Sequence, residues 1–303
     1  MLDVCLLGTG GMTPLPKRWL ASLLVRYQGS LLLVDCGEGT QISLKSVGWG
    51  FKDISTVLLT HLHADHVAGL PGMLLTVGNS GRRDWVVIYG PVGVPRLADA
   101  IGVMAPQLPF PVEWRELAGG EQMETQGLEV SALLADHGVP CLAYCVEVPR
   151  GRRFNPARAA ELGLPVQLWG RLQAGEPVEW GGRRVEPTEV LGEERRGIKL
   201  CYVTDTRPTP ELPIFVGGAD LLVCEGMYGA AEDLPKAVGN KHMIFSEAAE
   251  LARAGGVREL WLTHYSPSIS NPEDWLGEAT RIFPRTRAGQ DRMTTTLRFP
   301  GHE

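Results

Sequence analysis

The run His61-Leu62-His63-Ala64-Asp65-His66 sets three imidazoles and one carboxylate within six residues, at the end of the apolar stretch 57–60. Side chains two apart on an extended segment point the same way, so His61 and His63 can reach one metal ion. Asp65 and His66 follow where the chain turns toward a helix, and they can face a second ion beside the first. Imidazole nitrogens mixed with a carboxylate suit zinc. The alternative, three unrelated histidines, asks for a crowding that is rare without a metal.

Three further candidates share one context, each following an apolar strand-like run. His137 follows residues 133–136, Asp205 follows 200–204 and His264 follows 260–263. Strand ends in a layered α/β fold converge on one rim, so ligands far apart in sequence can meet there. A lone histidine at any one of these places would more often be an ordinary polar group.

The rest of the chain supports such a fold. Runs at 4–8, 22–27, 30–34, 56–60, 86–89, 128–135, 142–148, 199–204, 221–224 and 260–263 read as strands. Segments 38–47, 67–77, 94–104, 246–254 and 272–282 read as helices, the fourth starting at Ser246-Glu247 and ending before Gly255-Gly256. No repeat of fixed period is evident. Residues 149–197 break the pattern, with Arg, Gly, Pro and Glu and only 155–162 helix-like, too long for a plain loop.

A net charge of −6 argues against a non-specific nucleic-acid coat, yet a local basic patch still allows an RNA substrate. The N-terminal Met1-Leu2-Asp3-Val4-Cys5 reads as a first strand, not a signal peptide, and no apolar run reaches membrane-spanning length. Cys5, Cys36, Cys141, Cys145, Cys201 and Cys224 read as buried free thiols. A cytoplasmic protein is expected.

The histidine run with His137, Asp205 and His264 resembles the metallo-β-lactamase superfamily, and its flanks resemble the ribonuclease Z branch, which trims the 3′ end of precursor tRNA. The flanks in question are Leu6-Leu7-Gly8-Thr9-Gly10, Asp35-Cys36-Gly37-Glu38-Gly39-Thr40-Gln41, Gly69-Leu70-Pro71-Gly72, Tyr89-Gly90-Pro91 and Thr204-Asp205-Thr206-Arg207. The similarity spans nearly the whole chain, 1–303. It implies an αββα four-layer sandwich with an inserted, protruding arm at 149–197 that grips tRNA. It implies two zinc ions, one on His61, His63 and His137 and the other on Asp65, His66 and His264, with Asp205 between them. Manganese or iron would suit the same ligands. A metal pair about 3.5–4 Å apart polarises a phosphoryl oxygen and supplies hydroxide at neutral pH.

By the same resemblance, Asp65 serves as ligand and proton handler, and His242 acts at the scissile phosphate with Glu225 as its partner. Asp35 orients a ligand histidine. Lys17 and Arg18 in the first loop, and Arg152 and Arg153 in the arm, are candidates for RNA contact. The resemblance also implies a homodimer in which one subunit's arm serves the other's site. There are departures. Pro14-Leu15-Pro16-Lys17-Arg18 replaces the branch's Pro-x-Lys-x-Arg, Cys224-Glu225-Gly226-Met227 replaces His-Glu-Ala-Thr, and Met243-Ile244-Phe245 stands where a serine/threonine pair is usual. The arm's arginines are interleaved with seven glutamates between 161 and 194, and its Gly-Pro tip is missing. The expected activity is metal-dependent removal of the tRNA 3′ trailer. Its main rival is a phosphodiesterase of the same fold acting on a small cyclic or aryl phosphodiester; a thioester or lactam hydrolase and a non-enzymatic RNA-binding protein are further rivals. His302, near the end, has no expected role.

Overall fold

The computed structural model describes residues 1–300, so His302 lies outside the described residues. Side-chain alternation decides which way each strand faces. In β1 (Leu2–Gly8), Leu2, Val4 and Leu6 enter one core while Cys5 and Leu7 enter another, all fully buried. A strand with no solvent face must lie in a sheet covered on both sides. β2 (Ser22–Tyr27), β3 (Ser30–Val34), β4 (Ile54–Leu58), β5 (Val86–Pro91) and β6 (Val112–Leu117) follow β1 across that sheet. The second sheet takes β7 (Gln122–Thr125), β8 (Leu128–Leu134) and β9 (Leu142–Val148). After a separate hairpin of β10 (Val178–Trp180) and β11 (Arg183–Val185), it takes β12 (Ile198–Val203), β13 (Leu221–Glu225), β14 (Leu260–Thr263) and β15 (Thr286–Ala288). β16 (Thr294–Leu297) returns to the first sheet beside β1.

Between the sheets lie Leu6, Val25, Leu58, Tyr144, Tyr202 and Trp261. On the outer face of the first sheet, Leu44 of helix Thr40–Val47 and Met73, Leu74 and Val77 of helix Leu70–Asn79 pack on Leu33 and Val57. On the outer face of the second, Phe245, Ala248 and Ala252 of helix Phe245–Ala254 pack on Val203, Leu222 and Leu262. Each Leu- or Phe-sized side chain so buried contributes about 1.5–3 kcal/mol. The result is the four-layer αββα sandwich. Strands β3–β6 run parallel, as do β12–β15, and the loops following β3, β4, β8, β12 and β14 meet on one rim.

Residues 149–197 leave at the end of β9 and return at the start of β12, where Val148 pairs with Ile198. Asp205 lies past the other end of β12, about 20 Å away along a six-residue strand. The segment carries its own small core of Ala159, Leu164, Leu172, Val178, Val185 and Val190. Two helices, Pro156–Glu161 and Val166–Gln173, and the β10–β11 hairpin build it. The second helix escapes a sequence reading because it is short and holds Gly170, a poor helix former, in its interior. The hairpin turns on Gly181 and Gly182, both at positive φ (58° and 77°), as its tight turn requires. At its base, Asn155 N–H donates to Val190 O and Gly192 N–H to Arg153 O, both at 2.8 Å.

One expectation is corrected. Cys5, Cys36, Cys141 and Cys224 are free and buried, but Cys145 and Cys201 form a disulfide. They sit directly opposite each other on the antiparallel neighbours β9 and β12, with Cα atoms 4.1 Å apart, a proximity hidden by a sequence separation of 56. Strands β6, β7, β15 and β16 were also not foreseen; β6 and β7 are half-exposed and carry no continuous apolar run. Segment 272–282 divides into a 3₁₀ turn, Pro272–Trp275, and a short helix, Leu276–Thr280.

Candidate metal centre

β4 carries the chain to Thr60 and the histidine run. His63 stays extended (φ −65°, ψ 151°) and caps the short helix Ala64–Val67, which presents Asp65 and His66. The turn after β3 packs on this helix so closely that a Cβ on Gly37 would lie 2.1 Å from Asp65 O. That contact brings Asp35 under the cluster. Buried Asp35 accepts from Thr60 N–H at 2.8 Å, from Thr60 Oγ1 at 2.9 Å and from His66 Nδ1 at 2.8 Å. Thr60, which sequence reading missed, also lies 3.1 Å from His61 Nδ1; its only signal is its place directly before the run.

The expected ligands converge. His61 Nε2 is 2.9 Å from His63 Nδ1, and the His137 ring centroid lies 5.1 Å from that of His61 and 5.3 Å from that of His63. His66 Nε2 is 3.2 Å from His264 Nε2, and Asp65 Oδ2 lies 3.6 Å from each. Asp205 stands between the two groups. Its Oδ1 is 3.8 Å from His61 Nε2, and its Oδ2 is 3.4 Å from both His66 and His264 Nε2.

These residues fit a pair of cations. His137 Nε2 is buried with no hydrogen-bond partner. His66 gives Nδ1 to Asp35, so its Nε2 faces another imidazole nitrogen at contact distance. Three carboxylates, Asp35, Asp65 and Asp205, converge on this buried pocket, and buried charge must be compensated. Without a metal the compensation falls to protons. Burial alone would lower His66, but Asp205 and Asp35 outweigh it and push it up to about 10. Burial alone would raise Asp65 and Asp205, yet the neighbouring histidines hold both carboxyls well below the usual carboxylate range. Burial lowers His61 and His137.

His242 joins the cluster from the loop before helix Phe245–Ala254. It is buried, 3.8 Å from Asp205 Oδ1 and stacked on His264 at 5.6 Å. Glu225 at the end of β13 holds His242 Nδ1 at 2.9 Å, while its other oxygen accepts from Thr206 N–H at 2.7 Å. Burial would lower His242, but Glu225 and then Asp205 raise it to about 9.

The RNA-contact candidates lie in the first loop and in the arm. Arg18 donates to the carbonyls of Ile269 (2.6 Å) and Ser270 (2.9 Å) and lies over Tyr265, so it braces the first loop. Lys17 is exposed, at φ 73°. In the arm, Arg152 pairs with Glu194 at 3.0 Å and Arg153 is exposed.

A two-sheet sandwich flanked by helices, with a histidine–aspartate cluster on one rim, defines the class. Residues 31–265 match the family described as Beta-lactamase superfamily domain. Human tRNase Z, short form, has the same fold, with a TM-score of 0.70 at 22% identity, covering 98% of this chain and 100% of that one. Ribonuclease Z of Lachnoclostridium phytofermentans is 48% identical over 304 residues, 100% of both chains. That of Clostridium kluyveri is 47% identical over 301 residues, 99% of both. The chain belongs to the ribonuclease Z family and is an enzyme. No helix among the described residues is long and apolar enough to cross a membrane.

Proposed function

We propose that the chain is a zinc-dependent endoribonuclease that removes the 3′ trailer of precursor tRNA in the cytoplasm. The observation that carries this reading is that identity to proteins named Ribonuclease Z runs over the full length, through residues 149–197 as well as the rim. His61, His63 and His137 would hold one ion and Asp65, His66 and His264 the other, with Asp205 shared. Bound there, such a pair polarises a phosphoryl oxygen and makes water acidic enough to attack near neutral pH. Manganese or iron would find the same donors acceptable.

The chain's own residues do the rest. Asp35 takes the Nδ1 proton of His66 and so points its Nε2 inward. Asp65 accepts the proton of the attacking water. Glu225 holds His242 Nδ1, which leaves Nε2 to give a proton to the departing ribose oxygen as the phosphorus–oxygen bond breaks. Lys17 and Arg153, which are exposed, would meet RNA phosphates, and Arg18 and Arg152 would do so only on giving up the contacts they make here. Because the arm leaves the rim opposite the cluster, it would serve the site of a partner in a homodimer.

One observation favours a second reading, a small aryl or cyclic phosphodiester as substrate. Many arm arginines are already paired: Arg158 with Glu161, Arg171 with Glu176, Arg183 with Glu189 and Arg184 with Glu186. Cleavage of a 3′-extended precursor tRNA by zinc-loaded protein decides between them. Gly192 is hydrogen-bonded to Arg153, so a short Gly-Ser link can replace residues 154–191. The first reading expects this deletion to lose tRNA cleavage and keep bis-p-nitrophenyl phosphate hydrolysis. If neither protein cuts tRNA and both cut the aryl ester, the second reading holds.

A further inference from the structure

In the motif Thr204-Asp205-Thr206-Arg207, the last residue has no task in the scheme above. Its guanidinium is largely buried, 17% exposed, and engages the loop that carries His242. Nη1 donates to the backbone carbonyl of His242 and, at 2.8 Å, to Glu247 Oε2; Nη2 donates to Glu247 Oε1. Glu247 in turn accepts from Ile244 N–H at 3.1 Å, at the start of helix Phe245–Ala254. One planar fork thus grips both ends of the segment 242–244. The backbone of Arg207 is fixed too, its N–H donating to Asp136 O at 3.0 Å, beside His137.

The grip has a clear purpose. His242 follows Lys241, which is in the left-handed region at φ 58°. Glu225 fixes the direction of the imidazole through Nδ1, but a single hydrogen bond does not fix how far the ring reaches toward the rim. The backbone of His242 does: its N–H donates to Ala237 O at 2.8 Å, and its carbonyl accepts from Arg207. We propose that Arg207 is a positioning residue, which sets the reach of His242 toward the departing oxygen and couples it to Asp205 two residues away. The inference rests on the reading of His242 as proton donor. A lysine there would keep the charge without the fork, since an ammonium is a point donor.

The test compares two leaving groups with zinc-loaded protein. Precursor tRNA expels a ribose oxygen that needs a proton, whereas bis-p-nitrophenyl phosphate expels a phenolate that leaves without one. Arg207→Lys is expected to lower kcat on tRNA about 100-fold, the loss typical of a misplacement of about 1 Å. KM and metal content stay the same, and the aryl ester loses no more than about threefold. Free guanidinium restores part of the loss in Arg207→Gly. Glu247→Gln, which keeps an acceptor for Ile244 N–H, shows the same selectivity and serves if the arginine variants do not fold. Equal loss on both substrates, loss confined to KM, or no loss overturns the proposal. If the wild-type protein leaves tRNA uncut, the substrate reading fails separately, and the same comparison is made between a diribonucleotide and the aryl ester.

Discussion

Asp35→Asn separates an orienting carboxylate from a mere turn residue. Asp35 has a left-handed backbone, φ 56°, which asparagine tolerates, so the change adds no backbone strain. Alanine would add about 1–2 kcal/mol. The carboxylate serves donors on both sides: Oδ1 takes Thr60 N–H, and Oδ2 takes His66 Nδ1. An amide offers one oxygen. If that oxygen stays on Thr60, the amide NH₂ faces His66 Nδ1 and drives the ring to carry its proton on Nε2, the nitrogen aimed at the cluster. If it faces His66 instead, a buried Thr60 N–H meets a donor, which costs about 1–3 kcal/mol of stability. The first arrangement is expected, and lost orientation of this kind typically costs about 10–100-fold in metal affinity. That equals about 1.4–2.7 kcal/mol at 1.36 per tenfold. Chelator competition with metal counted per chain measures the affinity, and thermal unfolding of the metal-free protein measures the fold. If both ions stay within about twofold of wild-type affinity and the melting temperature is unchanged, Asp35 does not orient His66 and the reasoning fails.

Further outcomes are expected. Gly11→Ala would place a Cβ 2.7–3.0 Å from the ring of buried His264, so metal content should fall toward one ion per chain, checked by elemental analysis. Glu225→Gln, which frees His242, should cut kcat on a ribose leaving group about 100-fold or more and spare the aryl ester; a uniform loss would speak against a proton-donor pair. Metal uptake should be pH-dependent at one site more than the other. His66, pushed up to about 10 in the metal-free protein, is protonated at pH 7 and must eject that proton, so its site weakens about tenfold per unit as pH falls. His61 and His137 are lowered, bind as neutral rings and eject none. Calorimetry in two buffers of different ionisation enthalpy counts the protons, and loss of both ions together on acidification would contradict this asymmetry.

The legible part of the centre is the part written as spacing. His61, His63, Asp65 and His66 stand in one run, and His137, Asp205 and His264 each follow an apolar strand, so the convergence of strand ends in a layered fold brings them to one rim. Cys145 and Cys201 show what spacing cannot reveal: their pairing depends on β9 lying beside β12, which is a matter of strand order. The arm's second helix was hidden for another reason: it is only eight residues long with Gly170 inside it, and Leu168, Trp169 and Leu172 pack in a small core that exists only once the arm is assembled.

The support of the centre follows a rule of its own. Asp35, Asp205 and His264 each sit just past a strand, and each is left-handed, at φ 56°, 54° and 57°. A strand that simply ran on would send alternate side chains to the two faces of its sheet; one left-handed residue breaks the alternation at the rim. That conformation costs a non-glycine residue about 1–2 kcal/mol and persists only where the surroundings over-determine it. Here they do. Thr60 and His66 lock Asp35, the N–H after Asp205 is held by Glu225, and Tyr265, next to His264, donates its N–H to Thr9 O at 2.8 Å. Each lock joins segments far apart in the chain. Ligand identity is therefore local and readable, while ligand orientation is a property of the assembled rim, and substitutions that spare every ligand, at Gly11, Thr60 or Arg207, can still disable it.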